Sequence, residues 1–369
     1  MKRRDDEIDK LEKILARLQA SEGYAMVRSG VESDSSLIGL DSNENYFVSE
    51  DFIQRIAEEA ARCDLRTYPR EELAELREML GAWLRVEPEC IVLANGGDQA
   101  IDLAATILQK EDSAVAAWPT YSFYGLRVEL AGGRLIRIPL QRDFSLDVPR
   151  LLSAADQSGA SIMFLCSPNN PTANQFSETD IVELLTGFPG LIVLDEAYAE
   201  FTERSLVPLI RVHQNLAVMR TFSKAFGIAG ARLGYMIANP RVSSTFAEKV
   251  QFPYPVSRFS ARLGIECLRN LDAMQDGVSK MKMERSWLID RLRRLEGLTV
   301  FDSQTNFVLV CANRDSSVLS VKLRSLGVSV KDVGDVLDFR GCLRVTVGTR
   351  PMNEKFLAGL EEVMSDEQL

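Results

Sequence analysis

The chain has 369 residues, 46% hydrophobic and 26% charged, with 23 Gly and 13 Pro. That is a globular composition long enough for about two to three domains, and it excludes collagen-like, low-complexity and coiled-coil architectures. The formal charge of −10, from 43 Lys and Arg against 53 Asp and Glu, argues against a general nucleic-acid or anionic-membrane binder but leaves room for a local basic pocket.

The first ten residues, MKRRDDEIDK, carry mixed charge where a secretory signal needs an apolar core, and no run approaches the ~18 apolar residues of a membrane span. A soluble, cytoplasmic protein is expected. Ile8, Leu11, Ile14, Leu15 and Leu18 stand at helical spacing and predict an amphipathic helix packed on its own chain or a subunit partner. From about residue 90, short apolar runs alternate with helical stretches: CIVLA (90–94), SAVAAW (113–118), RLIRIPL (134–140), SIMFLC (161–166), LIVLD (191–195), LAVMRT (216–221) and RLGYMIA (232–238). Continuous apolar strands with intervening helices predict an α/β core around a largely parallel sheet covered on both faces. After about residue 270 the pattern changes to a long charged helix (273–296), then LTVF, NFVLVCA, VSVKDV and CLRVTVG, with further helices at 315–326 and 352–365. This mixture predicts a smaller α+β domain.

The single histidine, His213, leaves too few imidazoles for a two-histidine zinc site, and any Ser-His-Asp triad would depend on it alone. No metal centre is expected. Cys63, Cys90, Cys166, Cys267, Cys311 and Cys342 form no CxxC pair and mostly have apolar neighbours, so they read as buried free thiols of a reducing cytosol.

Five strand ends carry the chemistry. Lys224 follows the strand 216–221, with hydroxyls at Ser223 and Thr221 and a guanidinium at Arg232. Such a set can hold a phosphate beside a nucleophilic amine, as a phosphorylated aldehyde cofactor requires, although a lone lysine reads as a solvated surface residue. Asp195 ends the strand 191–195, where α/β sheets bind ligands, and can keep a pyridine nitrogen protonated; alone it reads as a helix cap. In the turn Ser167-Pro168-Asn169-Asn170-Pro171-Thr172, the Asn170 amide can donate to a phenolic oxygen. Asn95-Gly96-Gly97-Asp98 opens a helix with glycine amides, an anion site without the GxGxxG spacing of dinucleotide binders. Trp118-Pro119-Thr120-Tyr121 places aromatic rings after a strand, where one can stack on a flat ligand or pack in the core.

The segments SPNNPT, LDEAYAEF, RTFSKAFGIAGARLGY and CLRVTVGTR resemble the signatures of fold-type I, pyridoxal-phosphate-dependent aminotransferases of class I/II. Within them the chain most resembles the histidinol-phosphate aminotransferases, from LDSNENY near residue 40 to the last helix. The resemblance implies a large domain over residues 46–268 with a mostly parallel seven-stranded sheet, and a smaller α+β domain built from residues 1–45 and 269–369. It further implies pyridoxal 5'-phosphate as cofactor, joined to Lys224 as a Schiff base, with Lys224 also moving the substrate proton. Asp195 would pair with the pyridinium nitrogen, Asn170 and Tyr198 would bond the phenolic oxygen, and Tyr121 would lie on the ring face. Gly96, Gly97, Thr221, Ser223 and Arg232 would hold the phosphate, with Asp98 helping to cap the helix there. Tyr68, in Arg66-Thr67-Tyr68-Pro69, matches a tyrosine that reaches the other subunit's phosphate, which implies a homodimer with shared active sites.

Arg344 matches the arginine for a substrate's anionic end, and Asn43 the loop that folds over the substrate. Three positions depart from the motif: Tyr46 stands for proline, Ala173 for glycine, and Lys331 for the arginine of a V-R-D segment that contacts substrate. The implied reaction moves an amino group between L-histidinol phosphate and 2-oxoglutarate, giving imidazole-acetol phosphate and L-glutamate in histidine biosynthesis. The same scaffold also carries aromatic amino-acid aminotransferases and phosphorylated-amino-acid decarboxylases. A binding protein without turnover is disfavoured by the joint presence of Lys224, Asp195, Tyr198 and Arg344.

Overall fold

A computed structural model describes residues 12, 15, 16 and 37–365. The predicted N-terminal helix otherwise lies outside the described residues. The first strand, β1 (Ile38–Leu40), is followed by β2 (Ile91–Ala94), β3 (Ser113–Trp118), β4 (Arg134–Pro139), β5 (Ile162–Cys166), β6 (Leu191–Asp195), β7 (Leu216–Thr221) and β8 (Gly234–Ala238). Strands β2 to β8 form one seven-stranded sheet in the order β2-β8-β7-β6-β5-β3-β4. Pairing is parallel from β4 through β7, while β8 runs antiparallel to both β7 and β2. All seven predicted strands are present within two residues of their expected limits. Those in the sheet centre are buried along their whole length, which is why they are apolar without alternation.

The C-terminal ends of β2, β3, β5, β6 and β7 share one edge of this sheet with the start of β8. Side chains in the loops that follow therefore converge there. Flanking helices pack by short apolar repeats, Glu50–Ala61 lying against the helix Arg258–Arg269. In Glu50–Ala61, Ser49 accepts from the Phe52 amide, and Phe52, Ile56 and Ala60 bury one face at four-residue spacing.

The second sheet has the order β1-β11-β12-β10-β9, with β9 (Thr299–Val300), β10 (Phe307–Cys311), β11 (Val328–Val336) and β12 (Phe339–Thr346). Helices Leu271–Leu292, Ser316–Ser325 and Arg350–Ser365 accompany it. Strand β1 pairs in parallel with Val328–Val330, so the N-terminal segment enters the C-terminal sheet. One buried apolar cluster runs from Met163 and Leu194 of the large sheet to Phe307 and Leu343 of the small one.

The cysteine reading requires correction. Cys311 and Cys342 form a disulfide, and Cys63, Cys90, Cys166 and Cys267 are free. The antiparallel register of β10 and β12 sets Cys311 directly opposite Cys342, with Cα atoms 3.9 Å apart. Thirty-one residues separate the two, so local Cys spacing gives no sign of a pair that register alone creates.

Gly234 marks the tightest backbone approach at the functional edge: a Cβ there would lie 2.6 Å from the Gly96 carbonyl carbon and 2.8 Å from the Gly97 nitrogen. Both neighbours are backbone and cannot rotate away. Gly234→Ala is therefore expected to lower stability in urea unfolding by about 1–3 kcal/mol; an unchanged midpoint would contradict the close approach.

Candidate active site

The strand ends open into a cavity of about 940 Å³ lined by both sheets' loops, among them Asp98, Tyr121, Asn170, Asp195, Lys224 and Arg344. Gly97, Tyr198, Thr221, Ser223, Arg232, Asn43 and Lys331 also line it. Of the predicted site residues, Gly96 and Tyr68 are not part of this lining.

Asp195 ends β6 with 7% of its surface exposed. Its Oδ2 accepts from the Tyr124 hydroxyl at 2.7 Å and its Oδ1 from the Ala197 amide at 2.9 Å. Both donors are neutral, and Asp195 forms no ion pair among the described residues. Burial raises its pKa to about 6, against the lowering effect of those two hydrogen bonds. A buried carboxylate held in this way accommodates a protonated ring nitrogen, the partner a pyridinium supplies. Tyr124, which the sequence reading missed, is fully buried, stacked on Phe164 at 5.0 Å and edge-on to Tyr121. Its only signal was a third aromatic in the run from Tyr121.

The amine faces the N-terminal loop. Lys224 Nζ donates to the carbonyls of Ser42 at 3.0 Å and Asn43 at 3.3 Å. Burial, with the Arg344 charge next, lowers its pKa to about 8, so a neutral, nucleophilic amine is accessible near neutral pH. Asn43 takes φ 55° and is itself fixed: its amide donates to Thr346 Oγ1, its carbonyl accepts from Asn306 Nδ2, and its Nδ2 donates to the Tyr198 hydroxyl. Tyr198 thus accepts from Asn43 and keeps its own proton for another acceptor. Asn170 Oδ1 accepts from Arg344 Nη1 at 2.8 Å, which leaves the Asn170 NH₂ as the donor for a ligand. Arg344 Nη2 also bonds the Asp41 carbonyl.

An anion cradle closes the other end. Gly96 opens the helix Gly96–Thr106 with φ +78°, and a Cβ there would meet Arg232 Nη2 at 2.6 Å, so only glycine lets the guanidinium lie against the amides. Ser223 Oγ accepts from Thr221 Oγ1 and from Arg232 Nη1, at 3.0 and 3.5 Å. The Thr221 hydroxyl also accepts from the Ser223 amide and contacts the Leu233 carbonyl, so it fixes Ser223. Asp98 does not cap this helix: the Asn95 amide donates to Gln99 Oε1 at 2.6 Å, and the Asp98 carboxylate accepts from Arg232 Nη2 at 2.9 Å and from the Tyr121 hydroxyl at 3.1 Å. Orphan amides, hydroxyls and a guanidinium form the donor set of a phosphate site.

Two buried assemblies hold these loops. Asn169 bonds Thr120, the Pro119 carbonyl and Thr172, tying the turn after β5 to the loop after β3. Arg220 on β7 pairs with Glu196 at 2.9 Å and Glu200 at 2.7 Å, fixing the segment that carries Asp195 and Tyr198. At the departing positions, Ala173 is buried at φ 65°, and the Tyr46 hydroxyl lies within hydrogen-bond distance of Glu44 Oε2 at 2.8 Å and Gly39 O at 3.0 Å, with one proton for the two acceptors. Tyr68 is 66% exposed and stacks on Tyr254 at 4.3 Å. Arg258 fixes its loop through the Asp64 and Tyr68 carbonyls and Thr67.

A sequence profile of the Aminotransferase class I and II family matches residues 35–360. The chain is 32% identical over 328 residues to the histidinol-phosphate aminotransferase of Caldanaerobacter subterraneus subsp. tengcongensis, covering 88% of this chain and 93% of that one. It is 33% identical to histidinol-phosphate aminotransferase 2 of Archaeoglobus fulgidus over 332 residues, 89% of this chain and 94% of the relative. A crystal structure of the Sinorhizobium meliloti histidinol-phosphate aminotransferase, in complex with pyridoxal-5'-phosphate, is similar with a TM-score of 0.81 and 27% identity. That match covers 89% of this chain and 90% of the other.

The raised Asp195 pKa sets a pH signature. The native state retains this proton to about pH 6 while the unfolded state loses it near 3.8, so the group's contribution to stability falls as pH rises through that interval. In cofactor-free protein, the stability of Asp195→Asn relative to the parent is expected to rise by roughly 3 kcal/mol between about pH 4 and 6 and then level off. A difference independent of pH would contradict the burial argument.

Proposed function

This chain belongs to the aminotransferase class I and II family of pyridoxal-phosphate-dependent transaminases, and from that premise we propose that it transfers the amino group of L-histidinol phosphate to 2-oxoglutarate. The products are imidazole-acetol phosphate and L-glutamate, a step of histidine biosynthesis. The observation that carries this reading is one cavity joining the amine of Lys224, the buried carboxylate of Asp195 and the guanidinium of Arg344. The full-length likeness to histidinol-phosphate aminotransferases supports the choice of donor.

When bound, pyridoxal 5'-phosphate supplies an aldehyde that takes the amino group and a ring that accepts the electron pair left at the substrate Cα. Lys224 Nζ, lowered toward neutrality, holds the cofactor covalently and then carries the proton leaving Cα, the role of a general acid and base. The Asp195 carboxylate would accept from the protonated ring nitrogen and stabilise its charge, while the Asn170 NH₂ and the Tyr198 hydroxyl would donate to the phenolic oxygen. Tyr121, oriented by Asp98, covers one ring face. The amides of Gly96 and Gly97, the Ser223 hydroxyl placed by Thr221, and Arg232 bind the phosphate.

Arg344 binds the anionic end of either substrate, the α-carboxylate of glutamate or the phosphate of the donor, and Asn43 and Lys331 line the approach. In this reading residues 46–268 are the cofactor-holding part, and among the described residues 37–45 with 269–365 are the smaller part that brings Asn43, Lys331 and Arg344. The exposed Tyr68, on a loop fixed by Arg258, serves the neighbouring subunit's phosphate in a homodimer. No helix among the described residues is long and apolar enough to cross a membrane, in keeping with a cytoplasmic site of action.

Purified protein is expected to carry a visible cofactor absorption band and to form glutamate from histidinol phosphate and 2-oxoglutarate. Lys224→Ala should lose the covalent cofactor band and all measurable turnover. An unchanged band in that variant, or a parent that accepts phenylpyruvate and glutamate but not the histidinol phosphate pair, would overturn the reading.

A further inference from the structure

The wall of the cavity built by the small sheet carries two cations that the mechanism above leaves largely unused. Lys331 lies on β11 and Arg324 in the last turn of the helix Ser316–Ser325, and both line the same cavity as Lys224. Neither forms an ion pair among the described residues. Strand alternation sends Val328 and Val330 into the core and turns Ser329 and Lys331 to the cavity. Arg324 Nη1 contacts Ser329 Oγ at 3.4 Å, and Ser329 in turn donates to Asp41 Oδ2 at 2.6 Å. The carboxylates nearby are already bonded: Asp41 accepts from Ser42 and Ser329, and Asp332 from the Gly334 amide. Lys331 sits opposite Arg344 in the β11–β12 register, so three cations share one wall.

A phosphate monoester carries about −1.5 to −2 at neutral pH with three acceptor oxygens, whereas a carboxylate carries one charge and two oxygens. Arg344, already spanning Asn170 and the Asp41 carbonyl, can serve a carboxylate, but a dianion calls for further cations. A guanidinium fork and an ammonium point charge provide them. We infer that Arg324 is a specificity-determining residue which, with Lys331, binds the phosphate of the amino donor. This rests on the function proposed above.

The test compares kcat/KM of the holoenzyme for histidinol phosphate and for unphosphorylated histidinol. Arg324→Ala should reduce the preference for the phosphorylated donor about ten- to a hundredfold, the loss of charge-assisted hydrogen bonds. Arg324→Lys should fall between, and adding Lys331→Arg to Arg324→Ala should recover much of the preference by supplying the fork from the strand. A cation that merely complements the helix C-terminus would lower the melting temperature and leave the preference alone. A preference within about twofold of the parent in Arg324→Ala overturns the proposal. If the parent does not turn over histidinol phosphate, the donor assignment fails; Arg324 is then read from inhibition of the glutamate half-reaction by inorganic phosphate. Inhibition at least about tenfold weaker in Arg324→Ala supports the anion site, and equal inhibition overturns it.

Discussion

A carboxylate buried at the C-terminal end of a central strand is the constraint around which this structure is organised. Asp195 lies between β5 and β7, with one oxygen held by the Tyr124 hydroxyl and the other by the Ala197 amide. Neutral donors soften the desolvation of a charge without cancelling it, so its pKa stays raised at about 6 until a cation arrives. Tyr124 keeps its orientation by stacking on Phe164 of β5, and Ala197 by the buried Arg220, Glu196 and Glu200 cluster beneath. Breaking such a cluster by removing one partner leaves a buried charge uncompensated, which is far costlier than never building it.

The second sheet meets this site through the side chains of Arg344 and Phe307, set on Asn170 and Tyr198, and through the loop that follows β1. The loop from Asp41 to Asn45 runs between the sheets: its carbonyls accept from Lys224, Arg344 and Asn306, and Asn45 Nδ2 donates to the Ala225 carbonyl. Strand β1 anchors the start of the loop in the small sheet. Lys224, Tyr198 and Arg344, which come from distant parts of the chain, thereby share one set of fixed acceptors and donors. Burial moves both titrating groups toward neutrality, Lys224 down to about 8 and Asp195 up to about 6. A less basic amine suits a nucleophile, and a buried carboxylate held only by neutral donors suits the counter-charge of a protonated ring.

The parallel sheet was legible because its strands are buried on both faces and so appear as unbroken apolar runs between helical stretches. Lys224, Asp195, Asn170, Tyr121 and the glycines at 96 and 97 were legible for a related reason: each follows such a run, and strand ends are where ligands bind. What stayed hidden depends on pairing across the chain. The Cys311–Cys342 disulfide exists only through strand register. Asp98 reads as a helix cap from its position, yet its carboxylate is taken by Arg232, 134 residues away. Tyr124 looks like one more core aromatic until its hydroxyl is seen on Asp195, and Arg324 like a cation at a helix end until the cavity is traced. Tyr68 remains outside the cavity of its own chain, stacked on Tyr254.

The proposed role of Asp195 as the counter-charge of a protonated cofactor ring is tested most directly by the stopped-flow half-reaction of Asp195→Asn holoenzyme with histidinol phosphate. The phosphate cradle and Lys224 are untouched, so the variant should retain its cofactor. Its rate should fall about a hundredfold or more below the parent, since an amide cannot stabilise the ring's charge. A cofactor-loaded variant reacting at close to the parent rate would contradict the claim.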